Sequence, residues 1–151
     1  MNHLVKLQRT VDALFGVGVS NQLPKKIEFE FSRKNGRIRS VYSARKLLCT
    51  LRIDGGLAIT VNLAQMFVKC KRFRENSCII VDKDSKPFVE QGRSVFCSHV
   101  VKCGKNIKIG SDVPVLYGDK VIAVGRSVLS CKTIESMKRG VAVRTRDTLK
   151  Q

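Results

Sequence analysis

The first fifteen residues show a helical repeat of apolar positions. Apolar side chains recur at steps of three and four residues, and this spacing predicts an amphipathic helix over residues 3–15. Gly16 directly follows the last apolar position and is a natural helix stop, because glycine is common just after a helix. The positions that carry the repeat are Leu4, Leu7, Val11, Leu14 and Phe15.

The following segment alternates apolar and polar residues with a period of two, as half-buried strands do. Four strands are expected, at Ile27–Phe31, Arg37–Tyr42, Leu47–Ile53 and Leu57–Val61. Asn35-Gly36 and Gly55-Gly56 supply turns between them. A short helix ending near Phe67 closes the unit, and residues 69–74 follow as a basic connector. One helix packed on a four-stranded antiparallel sheet is the simplest closed arrangement of these elements.

The second half consists of short strands with glycine bends. A buried strand at Ile79–Val81 precedes a single helical turn over Pro87–Gln91, for which Asp84 or Ser85 is the expected N-cap. Pro114 cannot donate a ladder hydrogen bond, so its strand is expected to be an edge strand or to be bulged there. Further strands are expected at 95–96, 99–101, 113–116, 120–129 and 140–146. We therefore predict an α+β chain in which a small closed β-barrel follows the helix and sheet.

The charge balance is unusual for a chain of this size. It has 29 Lys and Arg residues against 12 Asp and Glu residues, a formal net charge of +17 spread evenly along the sequence. Such a charge attracts polyanions, with nucleic acid and acidic membrane surfaces as the two candidates. No apolar run is long enough to cross a bilayer, so we expect no membrane partner.

Neither cofactor nor catalytic chemistry is indicated. The six cysteines form no C-x-x-C pair and have no ligand spacing with either histidine, which predicts free thiols, no metal, no cofactor and a reduced, cytoplasmic location. No nucleophile-and-base set or phosphate-binding loop motif is present. Asp82 and Asp84 lie where helix capping explains them, and Asp54, Asp112 and Asp119 are expected in turns. We expect the chain not to be an enzyme.

Gly92 and the two residues after it form a candidate phosphate site. Glycine lets a ligand approach the backbone, and Arg93 and Ser94 add a cation and a hydroxyl beside exposed N–H groups. The alternative is an ordinary helix-terminating glycine followed by a surface arginine. On this segment alone, the helix terminus is the simpler interpretation.

The first half resembles a known accessory module. The succession of Asp12–Gly18, Lys34–Arg39 and Leu51–Leu57 is similar to the domain that precedes the PUA domain in archaeosine tRNA-guanine transglycosylases. The resemblance implies a pre-PUA domain over residues 1–71. It makes Lys34, Arg37 and Arg39 candidates for phosphate contact, with surface cations that discourage edge pairing as the equally weighted alternative.

The second half resembles the PUA domain itself, a small RNA-binding pseudobarrel. The blocks that carry this resemblance are Ile79–Asp82, Pro87–Val89 with Gly92, Ala123–Arg126 and Lys138–Arg144. It implies a PUA domain over residues 72–151, with Ser111 as one departure from the family pattern. The RNA-binding residues that it implies are Lys86, Gly92, Arg93, Ser94, Arg139, Arg144 and Arg146. A period of two places Arg144 and Arg146 on one strand face.

Together these features predict an RNA-binding protein. The resemblance implies that it holds the acceptor stem and 3′ end of tRNA as a detached part of an archaeosine-modification system, with a catalytic transglycosylase subunit in trans. A ribosome-associated translation factor and a protein-interaction adaptor are the alternatives. The chain has no Trp, and Tyr42 and Tyr117 are the only aromatic residues that we count as stacking platforms. We therefore do not expect it to bind single-stranded nucleic acid by sequence-tolerant base stacking.

Overall fold

The computed structural model describes residues 2–149, which fold into two packed modules. The first module contains α1 (His3–Phe15), β1 (Glu28–Phe31), β2 (Ile38–Ser43), β3 (Lys46–Leu51), β4 (Leu57–Ile59), α2 (Val61–Phe67) and α3 (Lys71–Asn76). The second contains β5 (Ile79–Val81), α4 (Lys86–Glu90), β6 (Val95–Phe96), β7 (Val100–Cys103), β8 (Asp112–Tyr117), β9 (Lys120–Ser127), α5 (Cys131–Ser136) and β10 (Val141–Thr148). The predicted α+β class, with a helix on a small antiparallel sheet followed by a pseudobarrel, is confirmed.

Helix α1 begins and ends where the apolar repeat predicts. The Asn2 side chain accepts a hydrogen bond from the Leu4 amide at 2.9 Å, which satisfies one of the amides left free at a helix start. Gly16 ends the helix at φ +122°, a conformation that favours glycine. Leu7, Val11 and Phe15 are buried in the core of the first module.

The first sheet is antiparallel with the order β1-β2-β3-β4. The turn between β2 and β3 consists of Ala44 and Arg45, both at positive φ, and its residue types give no turn signal in the sequence. Strand β4 lies at one edge of this sheet and pairs only with β3 inside it.

The basic connector predicted at residues 69–74 is wrong, because most of this segment is the helix α3. Its Phe73 is fully buried and makes edge-to-face ring contacts with Phe15 at 5.6 Å and Phe67 at 5.4 Å between centroids. Burying one large aromatic ring supplied enough apolar contact to order a segment that is otherwise polar. The first core therefore extends through α3.

The second module is one mixed sheet with the order β6-β10-β9-β8-β5-β7, curled into a nearly closed pseudobarrel. Its strands pair antiparallel except for β5 with β8. Gly125 is required inside β9, since a Cβ there would lie 2.4 Å from the Arg144 carbonyl oxygen on β10. The bulge is not at Gly125 but on the neighbouring strand β10, where the pairing register shifts between Thr145 and Asp147.

Pro114 was expected in an edge strand or at a bulge, and of these two alternatives the edge strand is wrong. Strand β8 is an interior strand, flanked by β9 and β5. Proline is tolerated there because β5 pairs only with Val115 and Leu116, one and two residues beyond the proline. The register irregularity in β8 lies between those two residues.

Side chains of the second module satisfy the free edge of β4. Asp112 Oδ2 accepts the Ile59 amide at 2.6 Å and an Arg146 guanidinium N–H at 2.6 Å, and the same Arg146 nitrogen donates to the Ile59 carbonyl oxygen at 2.7 Å. Asp147 accepts the Val61 amide at 2.9 Å. Asp112 is therefore the first residue of β8 and a buried interface group, and its expected place in a turn is wrong.

Apolar packing continues across this contact. Leu116, Val121 and Val124 of the barrel belong to the same buried cluster as the core of the first module. Among residues 2–149, no helix has the length and apolar character needed to span a membrane. All six cysteines are free thiols.

We expect Phe73→Ala to lower the free energy of unfolding by about 3–5 kcal/mol, because it leaves a cavity among packed rings. Phe31→Ala is the matched control, since 43% of Phe31 is exposed, and we expect it to cost much less. Chemical denaturation followed by circular dichroism measures both. Equal losses for the two variants would show that α3 is not part of the first core.

We expect Asp112→Ala to destabilise the chain by about 2–3 kcal/mol, because it leaves the Ile59 amide and the Arg146 guanidinium without their acceptor. Asp119→Ala, in the exposed turn between β8 and β9, is the control. The same denaturation measurement applies. A cost below that of the control would show that the edge contact does not contribute to stability.

Candidate nucleic-acid interface

Asp82 sets the corner between β5 and α4. Its carboxylate accepts the Ser85 amide at 3.0 Å and contacts Nδ1 of His99 at 2.9 Å. Desolvation tends to raise the pKa of Asp82, but hydrogen bonds from His99 and Ser85 outweigh it and hold this pKa below its ordinary value. Ser85 is the N-cap residue of α4 by position and makes no side-chain cap bond. The bond that fixes the start of α4 comes from Asp82.

Gly92 ends α4 in a Schellman motif. The Gly92 amide donates to the Val89 carbonyl oxygen at 2.9 Å and the Arg93 amide to the Phe88 carbonyl oxygen at 3.1 Å, the two bonds that define this motif. Gly92 has φ +92° and no atom within 4 Å of the place where a Cβ would be, so its surface is open. The expected free N–H groups at Gly92 and Arg93 are wrong, because both amides are used inside the motif.

The loop after Gly92 is held against the last strand. The Thr145 hydroxyl donates to the Arg93 carbonyl oxygen at 2.8 Å. Val95, two residues after Arg93, pairs with Val143, two residues before Thr145. The backbone of Arg93 therefore lies beside β10 at Thr145, the residue after Arg144, and the side chains of Arg93 and Arg144 are both exposed. Ser94 is half-buried and lies between Arg93 and Val95, the two residues that contact β10.

Arg139 lies towards the other end of the same strand pair. The Gly140 carbonyl oxygen accepts the Cys97 amide at 2.9 Å, which places the exposed Arg139 next to the end of β6. Arg139 lies two residues before β10 begins at Val141, and Arg144 is the fourth residue of β10. We refer to the positions of Arg93, Ser94, Arg139 and Arg144 along β6 and β10 as the strip.

Two predicted positions are engaged within the protein. Arg146 lies at the bulge between Thr145 and Asp147, and its guanidinium donates to Asp112 Oδ2 and to the Ile59 carbonyl oxygen, although 38% of its side chain is exposed. Lys86 lies at the far end of α4, with its ammonium 3.6 Å from Glu90 Oε1 and 5.4 Å from the Tyr117 ring centroid. RNA contact by either residue stays a prediction.

Lys34, Arg37 and Arg39 are all exposed in the β1–β2 hairpin or on β2. Strand β4 is the edge of the first sheet that meets the second module, and β2 is two strands, roughly 10 Å, away from it. These three cations belong to the first module, whereas Arg93, Arg139 and Arg144 belong to the second.

The sequence reasoning missed two exposed phenylalanines in the strip. Phe88 is 49% exposed and Phe96 is 48% exposed. The Arg93 guanidinium lies 5.6 Å from the Phe88 ring centroid, a cation–π distance. The available signal was their position, since Phe88 lies four residues before Gly92 and Phe96 lies two residues after Ser94, both of which were predicted to bind RNA. An exposed aromatic ring beside a guanidinium can stack an unpaired base.

Comparisons with known families agree with this division of the chain. Residues 6–73 match the patch-forming domain C2 of tRNA-guanine transglycosylase, and residues 78–149 match the PUA domain. The tRNA-guanine(15) transglycosylase of Methanobrevibacter smithii is 32% identical over 151 residues, which cover 98% of this chain and 23% of that enzyme. Its counterpart from Methanothermobacter thermautotrophicus is 28% identical, with 97% and 23% covered. The chain corresponds to the C-terminal part of these relatives and spans less than a quarter of their length.

Solved structures show the same fold at low identity. A hypothetical protein from Pyrococcus horikoshii OT3 superposes with a TM-score of 0.77 at 20% identity, covering 98% of this chain and 90% of that one. A conserved PUA domain protein from Thermoplasma acidophilum gives a TM-score of 0.69 at 19% identity, with 99% and 93% covered. The combination of the two modules therefore occurs as a whole in other archaeal proteins.

The lowered pKa of Asp82 predicts a pH-dependent contribution to stability. A carboxyl with a folded-state pKa below its unfolded value stabilises the fold above the ordinary value of 3.8, and this contribution is lost as the pH falls through the folded-state value. We expect Asp82→Asn to lower the melting temperature at pH 6 and to do so less at pH 3. Asp84→Asn, two residues further on and exposed, is the control. A difference between wild type and Asp82→Asn that stays constant from pH 6 to pH 3 would contradict the assignment.

Proposed function

We propose that this chain, which belongs to the proteins that join a tRNA-guanine transglycosylase C2 domain to a PUA domain, holds the acceptor stem and 3′ end of tRNA for a catalytic partner. The observation that carries the proposal is the strip formed by Arg93, Ser94, Arg139 and Arg144 along β6 and β10. In it, cations stand beside an open glycine and two exposed phenylalanines.

The chemistry of the strip favours structured RNA. Guanidinium groups bind phosphates bidentately and set the register of a duplex, which is recognised mainly by shape. Phe88 and Phe96 add a surface for an unpaired base, and a 3′ end supplies one directly beside a duplex stem. A net charge of +17 raises the rate of capture and makes the affinity salt-dependent.

We propose that the modification reaction takes place on a transglycosylase subunit bound in trans. The proposal is supported by the related enzymes, in which the matched region makes up less than a quarter of the length. We place the module boundary between α3 and β5, five residues beyond the expected boundary at 71/72, because Phe73 packs in the first core.

We expect Arg93→Gln and Arg144→Gln each to weaken tRNA binding roughly threefold to tenfold at moderate salt and to reduce the slope of log K against log[salt] by about one. Arg45→Gln is the matched control. Arg45 is exposed in the β2–β3 turn, and this turn lies at the opposite end of the first sheet from the β1–β2 and β3–β4 turns. Fluorescence anisotropy with a labelled tRNA transcript measures both quantities.

The acceptor-stem assignment is tested with two further RNAs in the same assay. A minihelix that keeps the acceptor stem and its 3′ overhang should bind nearly as well as tRNA, and a blunt duplex of random sequence should bind more weakly at physiological salt. Equal affinity for tRNA and the random duplex would overturn the acceptor-stem proposal.

A further inference from the structure

A row of three charged residues crosses the barrel next to the strip. Asp112 on β8 pairs with Arg126 on β9, and Arg126 pairs with Arg144 on β10. Residues directly opposite each other in adjacent strands project to the same face of a sheet, with Cβ atoms about 4.5–5.5 Å apart. The row therefore leads from the strip at Arg144 to the module interface at Asp112.

Two members of this row, Arg126 and Arg144, are positive charges that lie directly opposite each other on adjacent strands. Cross-strand like charges destabilise a sheet unless a counter-charge lies between them. Asp112 does not serve Arg126, because its Oδ2 is occupied by Arg146 and the Ile59 amide. Within residues 2–149, no carboxylate forms an ion pair with Arg126 or Arg144, and both side chains are exposed.

Arg126 lines a groove of about 400 Å³ between the two modules. One wall is the β3–β4 turn of the first module and the other is the loop from Asn106 to Asp112. The guanidinium of Arg126 lies over Gly110: its Nη2 is 3.5 Å from the place that a Cβ on Gly110 would occupy. Residues of both modules are needed to form this groove.

The groove has an excess of positive charge. Its cations are Arg52, Lys108 and Arg126, and its acidic groups are Asp54 and Asp112. Asp54 is engaged by the Arg52 guanidinium at 2.6 Å and by the Gly56 amide at 2.9 Å, and Asp112 by Arg146. Asp54 also interacts electrostatically with Arg126, but no carboxylate oxygen lies within ion-pair distance of Lys108 or Arg126 in residues 2–149.

We propose that Arg126, with Arg144, binds a backbone phosphate of the RNA and leads the RNA strand from the strip into the groove between the modules. The proposal rests on the proposed RNA-binding function and adds a second contact site to it. A phosphate between the two guanidinium groups converts their repulsion into two charge-assisted bonds. A contact at the module boundary predicts that both modules are needed for full affinity.

The test compares Arg126→Gln, Arg126→Lys and the control Arg45→Gln in the full chain, with labelled tRNA and a salt series. We expect Arg126→Gln to weaken binding roughly threefold to tenfold and to reduce the salt slope by about one. Arg126→Lys keeps the charge but loses the bidentate geometry, so it should keep the slope and lose less affinity. The Arg126 side chain makes no hydrogen bond within the described residues, and Arg126→Gln removes its repulsion with Arg144. The melting temperature of Arg126→Gln should therefore not fall below the wild-type value.

The outcomes separate this inference from the function on which it rests. If Arg93→Gln weakens tRNA binding and Arg126→Gln does not, the groove contact is wrong and the RNA-binding function stands. If wild type fails to bind tRNA, the proposed function fails first. A titration with inorganic phosphate and with a mononucleotide, followed by NMR of the arginine Nε–H signals, tests the other source of phosphate. Saturation of Arg126 by these small anions, with unchanged tRNA affinity in Arg126→Gln, would overturn the proposal.

Discussion

The structure depends on how the free edge of β4 is satisfied. An edge strand presents backbone groups that need partners once they are buried. Here the Ile59 amide and carbonyl group bond to Asp112 and Arg146, and the Val61 amide bonds to Asp147. Burial raises the pKa of Asp112, and the Arg146 guanidinium opposes that rise. The barrel thus completes the first sheet with side chains in place of another strand.

This constraint decides which basic residues remain available to a ligand. The Arg146 guanidinium bonds to the Ile59 carbonyl oxygen and to Asp112, whereas no carboxylate forms an ion pair with Arg144 or its cross-strand neighbour Arg126 within residues 2–149. One strand therefore supplies an arginine engaged at the module interface and, two residues before it, an exposed arginine that the proposed RNA contact uses. Arg146 lies where β10 departs from regular pairing, between Thr145 and Asp147.

The fold was largely predictable because its signals are local. The helical repeat in α1, the alternation in β1 and β2, and the glycine stops at Gly16 and Gly92 all specify their own neighbourhoods. Non-local features were not predictable. Phe73 orders α3 through rings far away in sequence, Pro114 is tolerated inside the sheet because of how β5 pairs, and Asp112 acquires its role from the other module. The same distinction applies to the candidate site. The exposed positions of Arg93 and Arg144 could be predicted from their place in the motif, whereas the bonds of Arg146 to Asp112 and Ile59 could not.

The two readings of Gly92 are compatible, and the hydrogen bonds show how. The Schellman motif uses the amides of Gly92 and Arg93, so a backbone cradle for phosphate is not available there. What the motif provides is position: it ends α4, leaves Phe88 exposed, and sets the Arg93 guanidinium over the Phe88 ring while the Arg93 carbonyl oxygen bonds to β10. In the proposed contact an anion would therefore be held by guanidinium side chains, whose reach and mobility suit a duplex backbone better than a small buried phosphate. The open space above Gly92 would then admit the sugar-phosphate chain without being its anchor.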